Sequence, residues 1–198
     1  MKKAVFIPLL FLFGFSGLKA QNNQFGFVGG FHNQFANVNV NVDVDFPGGD
    51  NVNESISDSD GGAGIYLGGF GEFGLSEKIN LYTEIQFAFA SSDGNTNTQI
   101  MIPILAKYYI NEKFSIVGGP QLDFMLTDSD FINTFGIGIG IGAGYNLSER
   151  FTISGRYSFG LNNRIKNLET NINTDNFSAG YSLKYSYLQI GVAYRLGK

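Results

Sequence analysis

Along most of this chain a large apolar residue recurs at every second position, with glycine, small or polar residues between. Residues 135–151, FGIGIGIGAGYNLSERF, carry the pattern in its clearest form. Ile137, Ile139, Ile141, Ala143 and Tyr145 share one parity, and glycines hold the other. A period of two is the signature of a β-strand, whose successive side chains point to opposite faces. Gly138, Gly140 and Ala143 also fit the spacing of a dinucleotide-binding fingerprint. That loop must open into a helix, so that a pyrophosphate meets the helix N-terminus. Here the alternation runs on through Tyr145 into a polar turn, and the segment reads as strand.

Counted along the chain, the alternating runs predict eight strands, at about 24–36, 63–75, 78–90, 98–110, 113–125, 134–146, 150–162 and 183–196. Three joints repeat one motif: Leu75-Ser76-Glu77-Lys78-Ile79, Ile110-Asn111-Glu112-Lys113-Phe114 and Leu147-Ser148-Glu149-Arg150-Phe151. Their glutamates stand 35 and 37 residues apart, so the repeating unit is a hairpin with one tight turn and one looser connection. The looser connections are expected at about 37–62, 91–97, 126–133 and 163–182. Three short turns and four long loops place both chain ends on the short-turn side. This is the asymmetry of an all-β, eight-stranded antiparallel transmembrane up-and-down barrel of the outer-membrane type, with short turns and both mature termini in the periplasm.

The two faces of these strands differ in chemistry. One collects Phe25, Phe27, Ile65, Leu67, Ile85, Phe87, Ile102, Ile104, Ile116, Leu122, Ile153, Ile190 and Val192. The other collects Glu72, Glu84, Gln86, Gln99, Lys107, Gln121, Asp123, Ser154, Arg156 and Gln189, together with the glycines. A lipocalin-like soluble barrel would turn the apolar set inward. Its bulk is too great for an eight-stranded interior. Aromatic residues also gather near both strand ends, as interfacial girdles do. The apolar stretches, tilted, match the roughly 25 Å apolar band of such a barrel. The apolar face therefore meets lipid, and the glycines face a narrow lumen. There Glu72, Glu84, Lys107, Asp123 and Arg156 are expected to form a structural polar network, because unpaired charge in that setting is costly.

Three local irregularities carry expectations of their own. Pro103 and Pro120 lack an N–H in a sheet with no free edge, which predicts a bulge near each. In the last strand the apolar parity flips between Tyr187 and Leu188, predicting a bulge near Ser186 or an extension above the membrane. The run NVNVNVDVD after Ala36 predicts a prolonged strand or a protruding hairpin arm.

Composition narrows the setting. Lys2 and Lys3, an apolar run from Ala4 to Leu18, and Ala20 before Gln21 predict a cleavable signal peptide over residues 1–20. No later stretch approaches about 20 continuous apolar residues, so no transmembrane helix is expected. The absence of cysteine suits a protein that crosses an oxidising periplasm without relying on disulfides. With Lys2, Lys3 and Lys19 set aside, the remaining chain carries a net charge of −7, which argues against nucleic acid as a partner.

The final strand, Gln189-Ile190-Gly191-Val192-Ala193-Tyr194-Arg195-Leu196, resembles the C-terminal signal by which outer-membrane barrels engage the barrel-assembly machinery. Gln189, Gly191, Tyr194 and Leu196 stand at its matching positions, with Gly197 and Lys198 trailing past it. Residues 102–109, IPILAKYY, and 117–120, VGGP, resemble the outer membrane protein beta-barrel domain family, abundant in the Bacteroidota and including PorT-like proteins. The resemblance spans residues 21–198 and implies the fold more than any activity; its PorT branch is tied to protein secretion.

Candidate chemistry is sparse. Asp58 and Asp60 lie in an acidic stretch and are weak calcium candidates, but Gly62 stands where an EF-hand would need its third ligand. His32 is the only histidine, and nothing in the spacing joins it to Ser91 or Ser92 as a lipid-A-modifying site would require. No catalytic residue or cofactor is expected. The reading is a small non-enzymatic barrel with a structural or surface-interaction role. The alternatives are an accessory subunit of a secretion or envelope complex, a narrow solute pore, or a lipid-A-modifying enzyme. Expected partners are outer-membrane lipid and lipopolysaccharide, the barrel-assembly machinery during biogenesis, and an envelope protein.

Overall fold

The computed structural model describes residues 23–44, 52–92, 94–127, 131–166, 171–174 and 177–197; the expected signal peptide lies outside them. The strands are β1 (Gln24–Val44), β2 (Val52–Gly74), β3 (Ile79–Ser92), β4 (Asn95–Tyr109), β5 (Phe114–Met125), β6 (Phe135–Asn146), β7 (Phe151–Gly160), β8 (Asn171–Thr174) and β9 (Phe177–Leu196). Eight of them form a closed antiparallel wall in the order β1-β2-β3-β4-β5-β6-β7-β9, with β9 pairing back onto β1. The short β8 lies outside that ring, on the upper part of β9.

The register fixes the size of the wall. From His32 the paired residues run Gln189, Arg156, Gly142, Val117, Lys107, Asn80 and Gly74. Gly74 lies two positions past Glu72, the partner of Gln24, so the circuit returns to β1 at register position 22, ten residues from His32. With strands about 4.8 Å apart and about 3.3 Å per residue, this stagger tilts them by about 40° and gives a backbone radius of about 8 Å. Side chains pointing inward from all eight strands fill such a tube.

The outer surface is apolar from strand to strand. Phe27 and Ile85 are each 60% exposed, and Leu67, Ile116, Ile139, Ile153 and Ile190 are exposed with them. A continuous band of this kind has no place in water, whereas hydrocarbon accepts it because the closed wall leaves no backbone group unpaired at an edge. Aromatic pairs mark both rims. Phe25–Phe73, Phe114–Tyr145 and Phe151–Tyr194 lie near the short turns, and Phe124–Phe135 and Tyr157–Phe159 near the other end.

The repeated turn motif has a physical cause. Leu75, Ile110 and Leu147 each donate their N–H to the carbonyl four residues on, at 2.9 Å. The second residue then caps the turn from its side chain. Ser76 Oγ accepts from Ile79 N at 3.1 Å, Asn111 Oδ1 from Phe114 N at 2.8 Å, and Ser148 Oγ from Phe151 N at 3.2 Å. A short oxygen-bearing side chain at that position is what the motif conserves among its three copies.

Several expectations are corrected. Neither proline makes a bulge. The β3–β4 register is the same on both sides of Pro103, and the β4–β5 register the same on both sides of Pro120. The ladder merely skips two residues at each place, and Thr83 Oγ1 donates to the Pro103 carbonyl at 3.0 Å. Nor is there a bulge at Ser186, because β1 and β9 pair without interruption from Phe25–Leu196 to Val44–Phe177. The parity flip arises because Tyr185 and Tyr187 point inward and are buried. Much of the connections expected at 37–62, 91–97 and 163–182 is strand. β1 and β2 stay paired out to Val44–Val52, β3 and β4 to Ser92–Asn95, and β8 turns back onto β9. β3 leaves β2 at Ser91–Ala63, and β7 leaves β9 at Ser158–Tyr187. Above those points the strands β2-β1-β9-β8 stand beyond the wall as a four-stranded arm, as the NVNVNVDVD run predicts.

Candidate functional site

The lumen gathers all five charged residues read from the strand parity. Glu72, Glu84, Lys107, Asp123 and Arg156 are buried there, and they sort into three levels. At the short-turn end Lys107 Nζ meets Glu72 Oε2 at 2.9 Å. Asn80 Nδ2 and the Tyr109 hydroxyl donate to the same carboxylate at 2.6 and 2.5 Å. The ammonium also lies 5.0 Å from the ring centres of Tyr82 and Tyr109, where the π faces favour a cation.

In the middle, Arg156 Nη2 reaches Glu84 Oε2 at 2.9 Å and Gln189 Oε1 at 2.6 Å. Gln189 Nε2 donates to Gln86 Oε1 at 2.9 Å, and Gln86 donates in turn to Glu84. His32 closes this level, with Gln99 Nε2 at 2.9 Å from its Nε2 and the Tyr187 ring stacked 5.6 Å away. His32, Gln86 and Gln99 are 0% exposed, so the centre of the tube is plugged by its own side chains. Ser91 Oγ instead donates to the Asn95 carbonyl at 3.2 Å, at the end of β3 and away from His32.

The third level rests on a residue outside the strand pattern. Arg164, in the segment after β7, turns into the barrel and is 1% exposed. Its Nη1 meets Asp123 Oδ2 at 2.7 Å, while Nε and Nη2 donate to the carbonyls of Asn133 and Thr134 at 2.7 and 2.9 Å. The two asparagines ahead of it set the approach. Asn162 Oδ1 accepts from Ile137 N at 2.8 Å, and Asn163 Oδ1 accepts from Leu183 N at 3.0 Å. This ties the segment to β6 and β9. The 131–133 and 164–166 segments then bond each other, through Asn133 N to the Arg164 carbonyl and Lys166 N to the Phe131 carbonyl. Arg164→Lys keeps the charge but cannot supply the three-way fork. We expect it to lower stability by about 1–3 kcal/mol, read as a lower urea midpoint for unfolding from phospholipid vesicles.

The glycines of β6 make room for these groups. A Cβ at Gly136 would overlap the Arg164 guanidinium and the Asp123 carboxylate, and one at Gly140 would press on Ser158 and Arg156. Gly191 likewise lies under the Tyr66 hydroxyl. The short-turn half is less filled. A small cavity of about 30 Å³ lies between the lower and middle levels, lined by Lys107, Arg156, Arg195, Ser115 and Thr152. Arg195 guards its lower side with bonds to Asn146 Oδ1 and Thr152 Oγ1 at 3.1 and 3.3 Å.

The residues that resemble an assembly signal divide between the faces. Gln189 and Gly191 face the lumen, and Tyr194 and Leu196 face outward, Tyr194 against Phe151. Asp58 and Asp60 stand on the arm, opposite Val38 and Ala36 of β1, and Asp60 Oδ1 accepts from Gly61 N at 2.7 Å. Among the described residues no three potential metal ligands come together.

The polar-face reading misses Arg164, Arg195 and the inward Tyr66, Phe70, Tyr82, Met101, Leu105 and Tyr187, although all but Arg164 lie on the lumen parity of their strands. The Asn162-Asn163 pair ahead of an arginine was the available signal for the first. For β4 it was the run of apolar residues at both parities, which marks a strand buried on both sides.

A family model for the outer membrane protein beta-barrel domain matches residues 7–195. No curated protein matches the sequence. Among solved structures the chain is similar to Ail, the attachment invasion locus protein of Yersinia pestis, at 13% identity over 86% of this chain and 99% of that one, with a TM-score of 0.42. It is also similar to the outer membrane protein OprG of Pseudomonas aeruginosa, at 13% identity over 87% and 97% and a TM-score of 0.43. Neisserial surface protein A is similar at 10% identity over 85% and 99%, with a TM-score of 0.45. The closed eight-stranded wall, its lipid-facing band and the match over nearly the whole chain lead to one conclusion: this protein belongs to the outer membrane protein beta-barrel domain family.

Proposed function

We propose that this barrel is a non-enzymatic surface-interaction protein: the wall anchors it, and the arm β2-β1-β9-β8 makes the contact outside the cell. The arm carries the reading, because it continues well past the residues at which the neighbouring strands leave the sheet. A barrel meant only to span a membrane has no use for that length. The plugged lumen supports the same reading over a solute pore, since three ion pairs and the His32–Gln99 contact fill a tube of about 8 Å backbone radius. In this orientation the three short turns and both mature ends face the periplasm.

The test is gentle crosslinking in intact outer membranes, with the full chain and with a variant whose arm is cut back to the Ala36–Asp60 pair and rejoined by a two-residue turn. We expect the full chain to capture a surface partner that the shortened chain loses, while both fold to the same heat-modifiable band on gels. A near-stoichiometric partner that survives removal of the arm would favour the accessory-subunit alternative instead. Recovery of the barrel alone from both would sink the interaction reading.

A further inference from the structure

Among the described residues the arm has a free edge. Residues 63–74 of β2 lie between β1 and β3, but among the described residues 52–62 pair with β1 alone. Alternate residues of this eleven-residue stretch therefore turn their backbone N–H and C=O groups toward whatever lies alongside. Proteins usually blunt such an edge with charged side chains, lysine above all, with proline or with a covering loop. This one carries Glu54, Asp58 and Asp60 with neither lysine, arginine nor proline.

The charge decides which occupant the edge accepts. Two copies pairing edge to edge would set carboxylates against carboxylates, which cross-strand pairing penalises. The phosphates of lipid A and nucleic acids are repelled for the same reason. The face that carries Asp58 and Asp60 also has an apolar strip: Val38 and Val40 of β1 are flanked by Ile56 of β2 and by Leu183 and Tyr181 of β9. Val38 is 40% exposed and Ile56 64%. A lysine or arginine on an added strand can lay its methylene stem along Ile56 and carry its charge to Asp58 or Asp60.

We propose that the β2 edge binds an extended cationic segment of a partner protein by strand addition, with basic residues at alternate positions facing Asp58 and Asp60. This rests on the surface-interaction reading and names the chemistry of the occupant. Main-chain hydrogen bonds along residues 52–62 hold the segment, and the alternating charge selects it.

The full chain in zwitterionic phosphocholine nanodiscs, which do not attract cations, is titrated with a labelled ten-residue peptide alternating lysine and threonine. Binding is read by fluorescence anisotropy and by backbone amide exchange. Two further peptides are run: one N-methylated at alternate amides, which removes the donors along one side, and one with glutamate in place of lysine. We expect the lysine peptide to bind and to slow exchange within residues 52–62. N-methylation should weaken it at least about tenfold, and the glutamate peptide should not bind. Asp58→Asn with Asp60→Asn should weaken the lysine peptide while leaving the barrel folded. Equal binding of the N-methylated peptide would overturn strand addition, and binding of the glutamate peptide would overturn the charge selection. No binding by any peptide would overturn the proposal. If crosslinking still captures an arm-dependent partner in that last case, the surface-interaction reading stands and only the cationic occupant falls.

Discussion

Arg156→Leu is expected to destabilise the barrel by about 3–5 kcal/mol, because it strands the Glu84 carboxylate in the middle of the lumen. Glu84 and Arg156 are 3% and 8% exposed, so water does little to replace the lost guanidinium. The loss spreads through the glutamines, since Arg156 also holds Gln189, which positions Gln86 and lies beside His32. The second variant decides the cause. Glu84→Gln combined with Arg156→Leu removes both charges, and a buried pair replaced by neutral groups is often tolerated. We expect the double variant to recover most of the stability that the single one loses. Urea titration of vesicle-embedded protein, followed by the heat-modifiable shift on gels, reads both. If the double variant is as unstable as the single, Arg156 acts through its packing and the charge argument fails.

The same residues show how far a sequence of this type can be read. Alternation places a residue on a face, and it placed Glu72, Glu84, Lys107, Asp123 and Arg156 in the lumen. Parity says nothing about partners, however. Asp123 had no evident cation, because Arg164 comes from a segment without periodicity and enters the tube from above. The prolines misled for a related reason. A missing N–H suggests a bulge when the sheet must keep every rung, but this wall drops two pairs beside Pro103 and two beside Pro120 with its register unchanged. In β9 the apolar residues change parity because the sheet passes from lipid to the plugged mouth, where the buried side is the inner one and Tyr185 and Tyr187 fill it. Hydrophobic pattern reports burial, and burial switches faces where the surroundings of the wall change.

The glycines of β6 and β7 give the second large effect, because two paired strands make opposite predictions. Gly142 faces inward opposite Arg156, and a Cβ there would overlap the Gly155 carbonyl and stand 3.0 Å from the Arg156 Cα. Those are backbone atoms, which cannot swing aside as the end of a side chain can. Gly142→Val is therefore expected to cost more than about 3 kcal/mol, beyond the usual range for overpacking, or to prevent closure of the wall. Gly155 lies on the outer face of β7, and a Cβ there meets nothing within 4 Å. Gly155→Val adds a β-branched side chain to the lipid-facing surface and reduces the freedom of the unfolded chain. It should leave stability unchanged or raise it by about 0.5–1 kcal/mol. The comparison is made by folding each variant from urea into vesicles and measuring both the folded fraction and the unfolding midpoint. If Gly142→Val folds as well as the parent, Gly142 is not what lets β6 and the β7 backbone approach so closely. If Gly155→Val is the one that fails, the outer face of β7 is packed against something other than lipid.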